Sequence, residues 1–135
     1  MIAQYLLDTN ICIYVIKRKP SQVLTRFNEH APSLAVSTIT VAELSFGVEN
    51  SQHQERNRRE VEDFLSRLSI LDYDERAASH FGNIKATLRK QGTPIGEADI
   101  HIAAHARSQG MVVVTNNTRE FGRVEGLRVQ DWVND

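Results

Sequence analysis

Four oxygen-bearing side chains are predicted to reach one edge of a β-sheet, although they are far apart in the sequence. They are Asp8, Glu43, Asp99 and Asn117. Three of them follow predicted strands, and Asp99 lies in the first turn of a helix that precedes one. Because parallel strands end at the same edge of a sheet, the four side chains would meet there. Crowded carboxylates repel each other without a cation, and oxygen ligands without cysteine suit Mg²⁺ or Mn²⁺, so the pattern predicts a metal site that binds phosphate and activates water.

Each of these residues also has an ordinary structural interpretation. Asp8 could cap a helix, and Thr40-x-x-Glu43 matches a capping box in which Glu43 reaches back to a backbone N–H. Asp99 could favour the positive end of a helix dipole, and Asn117 could be a turn residue. The metal-site hypothesis therefore depends on the convergence of the four side chains rather than on any one of them.

The elements that must position these residues alternate between apolar strands and periodic helices. The apolar stretches predict strands at residues 2–7, 34–37, 70–71, 111–115 and 127–129. Periodicity and stop signals predict helices at residues 10–17, 21–30, 41–49, 55–69, 75–91, 97–110 and 118–121. This alternation predicts an α/β fold, a three-layer α/β/α sandwich with a mainly parallel central sheet, in a single domain that spans residues 1–135.

Length and composition are those of one globular domain. The chain has 135 residues, of which 41% are hydrophobic and 24% charged, and its net charge of -1 neither indicates nor excludes a nucleic-acid partner. Cys12 is its one cysteine, which suits a reducing compartment. The N-terminus does not resemble a signal peptide and no apolar run approaches the length of a membrane span, so we expect a cytoplasmic protein without a membrane partner.

Other motifs indicate less. His101-x-x-x-His105 has the spacing of a zinc-binding pair but lacks the glutamate and an obvious third ligand, so a packed or hydrogen-bonded His105 is favoured. Glu97 is best explained by the helix dipole, and Cys12 by the core. The sequence has no nucleophile elbow, Walker loop or dinucleotide-binding glycine motif. Basic clusters at 17–19, 56–59, 85–90 and 119–123 are either solvated helix faces or guides for a phosphate backbone.

Four ordered blocks resemble the PIN-domain ribonucleases, specifically the VapC toxins of toxin–antitoxin pairs. The blocks are YLLDTNI at 5–11, STITVAEL at 37–44, GTPIGEADIHIAAH at 92–105 and VVTNNTREF at 113–121, and the resemblance covers essentially the whole chain. By position, Asp8, Glu43 and Asp99 match the acidic metal-binding residues of the family. Thr9 and Thr115 match small hydroxyl residues near the pocket.

Asn117 departs from the family pattern, because many members carry a fourth aspartate at this position. The change removes one charge and leaves open whether one or two ions bind. The resemblance implies in-line attack of water on a phosphodiester, with Asp8 and Asp99 as direct ligands. Glu43 would be a further ligand or a base that orients the water.

The family resemblance also implies a substrate class and partners. It implies Mg²⁺- or Mn²⁺-dependent endonucleolytic cleavage of RNA, with a tRNA anticodon loop, above all that of the initiator tRNA, as the leading target. It further implies inhibition of translation, a homodimer, a VapB antitoxin that inserts a segment into the active-site groove, and a higher VapBC hetero-oligomer. Two other classes stay open: a phosphatase with Asp8 as nucleophile, which would need an acid where Asn10 stands, and a binding module without catalysis.

Overall fold

The computed structural model describes residues 3–134, in which strands and helices alternate as predicted. The strands are β1 (Tyr5–Leu7), β2 (Leu34–Ser37), β3 (Ser69–Leu71), β4 (Val112–Val114) and β5 (Arg128–Gln130). The helices are α1 (Thr9–Lys17), α2 (Ser21–His30), α3 (Thr38–Glu49), α4 (Gln54–Leu65), α5 (Glu75–Lys90), α6 (Glu97–Ser108) and α7 (Thr118–Phe121). Ile2, which the sequence places in the first strand, lies outside the described residues. Within them, no helix combines the length and apolar character that crossing a bilayer requires.

The five strands form one sheet, and every pair of neighbours is parallel. Their order is β3-β2-β1-β4-β5, which confirms the predicted α/β class. The chain builds β2 and β3 on one side of β1 and then returns to build β4 and β5 on the other side. The strand order therefore reverses between β1 and β4. In open α/β sheets, ligands bind at the carboxyl ends of the strands that flank such a reversal.

Two apolar clusters, one on each face of the sheet, form the three-layer sandwich. Successive side chains of a strand point to opposite faces, so Leu6 packs with α5 and α6 while Leu7 packs with α1, α2 and α4. Val113 and Val114 of β4 divide in the same way. The fully buried Trp132 closes the second cluster near the C-terminus. The sheet that carries the predicted site is therefore covered on both faces.

The first turn of α3 differs from its prediction in a way that matters for the site. The helix begins at Thr38 rather than Val41, because Ser37 is its N-cap and accepts a hydrogen bond from the Ile39 N–H at 3.0 Å. Thr40 consequently lies inside the helix, and the predicted capping box of Thr40 with Glu43 is wrong. Glu43 is free of any capping role and projects from the second turn.

The end of α4 also differs from its prediction. The helix stops at Leu65 instead of Ser69, because Ser69–Leu71 pairs with β2 as the edge strand β3. The apolar stripe that predicts the longer helix is nevertheless packed in the core beside α1 and α2. Its members are Val61, Phe64, Leu65 and Leu68.

Candidate active site

Asp8 follows β1 directly and joins the sheet to α1. Its backbone N–H donates to the Val114 carbonyl at 3.0 Å, which continues the β1–β4 pairing, and its side-chain Oδ1 accepts from the Ile11 N–H at 2.9 Å. Asp8 is therefore the N-cap of α1, as one interpretation of the sequence proposed. It also lies at the strand reversal with only 3% of its surface exposed, so capping does not account for its burial.

The environment of Asp8 is unfavourable for a charge. Burial raises the pKa of its carboxyl to about 6, although hydrogen bonds from the Thr115 hydroxyl and the Ile11 N–H act in the opposite direction. The negative charges of Asp99 and Glu43 raise this pKa further. Electrostatic coupling of this kind falls off with distance, so these three carboxylates share one region of the molecule. Three of the four predicted side chains are therefore electrostatic neighbours.

Glu43 reaches the same region from α3 and accepts a hydrogen bond from the Thr9 hydroxyl. The Thr9 Oγ1 lies 2.5 Å from the Glu43 Oε1 and 3.2 Å from the Thr40 Oγ1. A carboxylate can only accept, so the single proton of the Thr9 hydroxyl is donated to Glu43 and the Thr40 hydroxyl donates to Thr9. Thr9 at the start of α1 therefore fixes the direction of an acid on α3.

Asp99 lies in the first turn of α6, partly buried, and it has a further acidic neighbour. Burial raises the pKa of the Asp99 carboxyl to about 6, and the charges of Glu120 and Glu43 raise it further. Glu120, on α7, is absent from the residues that the sequence singled out. The Asn117 side-chain amide donates to the Glu120 Oε2 at 2.5 Å, and the Asn117 N–H donates to the Thr115 hydroxyl oxygen at 2.8 Å. Asn117 thus turns the chain and holds an acid instead of supplying one.

The oxygen atoms of this region suit a divalent cation. Four carboxylates, those of Asp8, Glu43, Asp99 and Glu120, interact here, and none of them forms an ion pair with a lysine, arginine or histidine within residues 3–134. In that same range, no three acidic, histidine or cysteine side chains already enclose a common ion position. Mg²⁺ retains several waters and needs only one or two direct carboxylates, so a closed protein cage is not required. The donor chemistry and the uncompensated charge therefore fit the ion.

The other candidates have structural roles. The His105 Nδ1 lies 2.8 Å from the Ser37 Oγ and its ring is fully buried, while the His101 Nδ1 lies 2.8 Å from the Tyr73 hydroxyl. The two rings are therefore bound to different elements rather than paired around a zinc ion. Cys12 is fully buried in the core. Glu97 is exposed and forms an ion pair with Lys85 at 3.0 Å, so its charge is compensated.

Comparisons with known proteins identify the family of this chain. The model of the PIN domain matches residues 5–127. The ribonuclease VapC2 of Haemophilus influenzae is 62% identical over 130 residues, which cover 96% of this chain and 98% of that protein. The tRNA(fMet)-specific endonuclease VapC of Shigella flexneri is 53% identical over 129 residues, with coverage of 96% and 98%.

Solved structures show the same likeness. The DNA-bound VapBC of Salmonella typhimurium contains a chain that superposes with a TM-score of 0.92 at 51% identity, covering 96% of this chain and 98% of that one. The DNA-bound VapBC2 of Rickettsia felis gives a TM-score of 0.90 at 36% identity, with coverage of 98% and 99%.

Proposed function

The chain belongs to the PIN-domain family and, within it, to the VapC ribonucleases, and from this premise we propose that it is a metal-dependent endoribonuclease that cuts tRNA. The observation that supports this most directly is the group of carboxylates at the strand reversal. Two of them, Asp8 and Asp99, carry raised pKa values because they are buried, and the group has no cationic partner within the described residues. Perturbed acids in such a position are typical of catalytic sites.

The proposed mechanism assigns a role to each side chain. A bound Mg²⁺ or Mn²⁺ would lower the pKa of a coordinated water and neutralise charge on the phosphate. Asp8 and Asp99 would be direct ligands, since their carboxylates are buried and lack cations. Glu43, directed by the Thr9 hydroxyl, would be a further ligand or accept the proton of the attacking water. Thr115 would keep the Asp8 carboxylate in position by its hydrogen bond.

The substrate proposal follows the relatives. Proteins named as tRNA(fMet)-specific endonucleases are 51% and 53% identical to this chain over nearly its whole length. We therefore infer that this chain cuts a tRNA, with the anticodon loop of initiator tRNA as the first target to test. Loss of initiator tRNA would inhibit translation, and such an activity belongs in the cytoplasm.

A VapB-type antitoxin is the proposed protein partner, in a hetero-oligomer built on a VapC homodimer. Several solved relatives are VapBC complexes. An apolar cavity of about 290 Å³ between α1, α3 and α4 reaches the acid Glu43. Phe46, also on α3, is 69% exposed, a large apolar surface for an isolated chain. An antitoxin segment that fills this cavity would also reach the active site.

Metal dependence is the direct test of this function. Purified protein is expected to cut initiator tRNA at one position with Mg²⁺ or Mn²⁺ and to leave it intact in excess EDTA, as mapped by sequencing the cleaved ends. Because the ion would relieve repulsion between buried acids, Mg²⁺ is also expected to raise the melting temperature of the protein. Cleavage that persists in EDTA would contradict the metal site. Intact RNA together with an unchanged melting temperature would favour a binding module without catalysis.

A second test asks whether Glu120 contributes to metal binding as the fourth acid of the site. Replacing Glu120 by glutamine keeps the hydrogen bond from Asn117 but removes a charge near Asp99. The Mg²⁺ concentration for half-maximal cleavage is expected to rise about tenfold, the effect of about 1.4 kcal/mol of lost ion binding. The additional change Asn117→Asp, which restores a charge, is expected to reverse part of this loss. Glu75→Gln, at an exposed acid of α5, is the control, and equal Mg²⁺ requirements in both single variants would remove Glu120 from the site.

A further inference from the structure

A cavity of about 160 Å³ lies between α5, the end of α6 and the segment that follows α7. Its polar lining consists of two guanidiniums, an amide, a hydroxyl and one carboxyl side chain, from Arg107, Arg123, Asn83, Thr87 and Glu125. The mechanism proposed above uses none of these residues. The cavity has room for several water molecules or for one tetrahedral oxyanion.

Arg107 is fixed in the wall of this cavity by neutral acceptors. Its Nε donates to the His80 Nδ1 at 2.9 Å, its Nη1 to the Glu125 carbonyl at 2.9 Å, and its Nη2 to the Asn83 Oδ1 at 2.8 Å. Three bonds use only part of the five N–H groups of a guanidinium. Within residues 3–134, no carboxylate lies within ion-pair distance of this side chain. Arg107 is therefore a preorganised cation without a close counter-ion.

Arg123 contributes the second charge of the cavity. Its Nη1 donates to the Pro94 carbonyl at 3.0 Å, and its other N–H groups have no acceptor within the described part of the chain. Pro94 precedes α6, which carries Asp99. Arg123 itself follows Glu120 by three residues, which limits the distance between their Cα atoms to about 11 Å. Arg123 therefore belongs to a chain segment adjacent to one of the four acids.

The surrounding charge is also positive. Burial lowers the pKa of the His80 imidazole, and the charges of Arg107 and Arg76 lower it further. Burial lowers the pKa of the Arg107 guanidinium, and the negative charge of Glu125 acts in the opposite direction. Fixed cations with unused donors recognise phosphate through parallel hydrogen bonds, as arginine does throughout nucleic-acid recognition.

We propose that the cavity between Arg107 and Arg123 binds a phosphate group, and that in the substrate complex this is a backbone phosphate of the RNA. The assignment to RNA rests on the ribonuclease function proposed above. The same chemistry would accept free inorganic phosphate. Contact with a backbone phosphate positions RNA without reading its sequence. Arg123 would therefore help to position the RNA strand relative to the carboxylates of the candidate site.

Salt dependence of RNA binding tests the backbone contact. Affinity for initiator tRNA is measured over a series of KCl concentrations with the Asp8→Asn variant, because this variant is expected to leave the RNA uncut during the measurement. Adding Arg123→Gln is expected to reduce the slope of log affinity against log salt by about 0.7, the value for one phosphate contact on a single strand. Arg128→Gln is the matched control, because Arg128 also donates to a backbone carbonyl, that of Gly110, but lies outside the cavity. Equal slopes in the two variants would overturn the RNA assignment.

A variant that is expected to bind RNA more tightly distinguishes an effect of the cavity from a loss of folded protein. Glu125 is exposed, and replacing it by glutamine removes the one carboxylate of the cavity. Affinity for RNA is expected to rise about threefold, as for loss of one partly screened repulsion. A damaged fold cannot explain tighter binding, so the expected result would support the cavity directly. Unchanged or weaker binding by Glu125→Gln would count against it.

Inorganic phosphate distinguishes the two sources of the group. At constant ionic strength, exchange of chloride for phosphate is expected to raise the melting temperature of the wild-type protein more than that of Arg123→Gln. A changed salt slope without this shift assigns the cavity to RNA alone, and the shift without a changed slope assigns it to free phosphate. Absence of both overturns the proposal. A wild-type protein that neither binds nor cuts RNA would refute the ribonuclease instead, and the phosphate titration would still decide the cavity.

Discussion

Replacing Asp8 by asparagine is expected to reduce RNA cleavage about 10³-fold, because one direct ligand worth several kcal/mol of transition-state stabilisation is lost. Asparagine caps helices as well as aspartate does, so the hydrogen bond to the Ile11 N–H is expected to survive. Cleavage rates at saturating Mg²⁺ and melting temperatures of both proteins test these two statements together. Full activity in Asp8→Asn would contradict the proposed role of this carboxylate.

The same substitution is expected to stabilise the metal-free protein at neutral pH. The pKa of Asp8 is about 6 in the folded chain against 3.8 for an ordinary aspartate, so the folded state holds the proton more tightly. Stability is therefore greatest below pH 4 for this group and is lost as the pH rises through about 6. The lost free energy of unfolding is of the order of 3 kcal/mol, from about 1.4 kcal/mol for each pKa unit. Denaturant unfolding at pH 5 and pH 8 in EDTA should show a smaller pH effect in Asp8→Asn than in wild type.

Asp99 and Glu97 offer a matched comparison within one helical turn. Both acids lie in the first turn of α6, so neutralising either removes a similar interaction with the helix dipole. Asp99 interacts with Glu43 and Glu120, whereas Glu97 is exposed and pairs with Lys85. Asp99→Asn is expected to lower the cleavage rate by about 10² to 10³-fold, as for removal of one electrostatic stabiliser of a transition state.

Glu97→Gln is the control for that comparison. Its cleavage rate is expected to stay within about twofold of wild type, because an exposed ion pair contributes little. The measurement is the single-turnover rate on the same RNA, together with unfolding curves that exclude a general loss of structure. Equal losses in the two variants would mean that charge at the N-terminus of α6, rather than a metal ligand, determines activity.

Several parts of this molecule could be predicted because a local signal and the tertiary fold agree. The run of α1 is rich in β-branched residues that favour a strand, yet Asp8 caps it as a helix and the apolar side chains Ile11, Cys12 and Val15 are buried against the sheet. Parallel pairing of β1 with β2 and β4 then brings distant carboxylates to one edge. The approach of Asp8, Glu43 and Asp99 follows from this parallel pairing together with the helices that adjoin β2 and β4.

Other parts could not be predicted, for identifiable physical reasons. Ser37 and Thr40 are both good capping residues three positions apart, and only the end of β2 decides in favour of Ser37. The helix α7 has four residues, too few for a periodic pattern, so its acid Glu120 carries no signal except its spacing from Asn117. That spacing, one helical turn, could have indicated the pair. The contacts of Arg123 involve loops whose course no sequence pattern specifies.

Asp8 both caps α1 and supplies a buried carboxylate. A single G-to-A change in its codon yields asparagine, which removes the carboxylate but still caps the helix. The product would be a folded protein that cuts RNA far more slowly but still presents the apolar cavity between α1, α3 and α4 to an antitoxin.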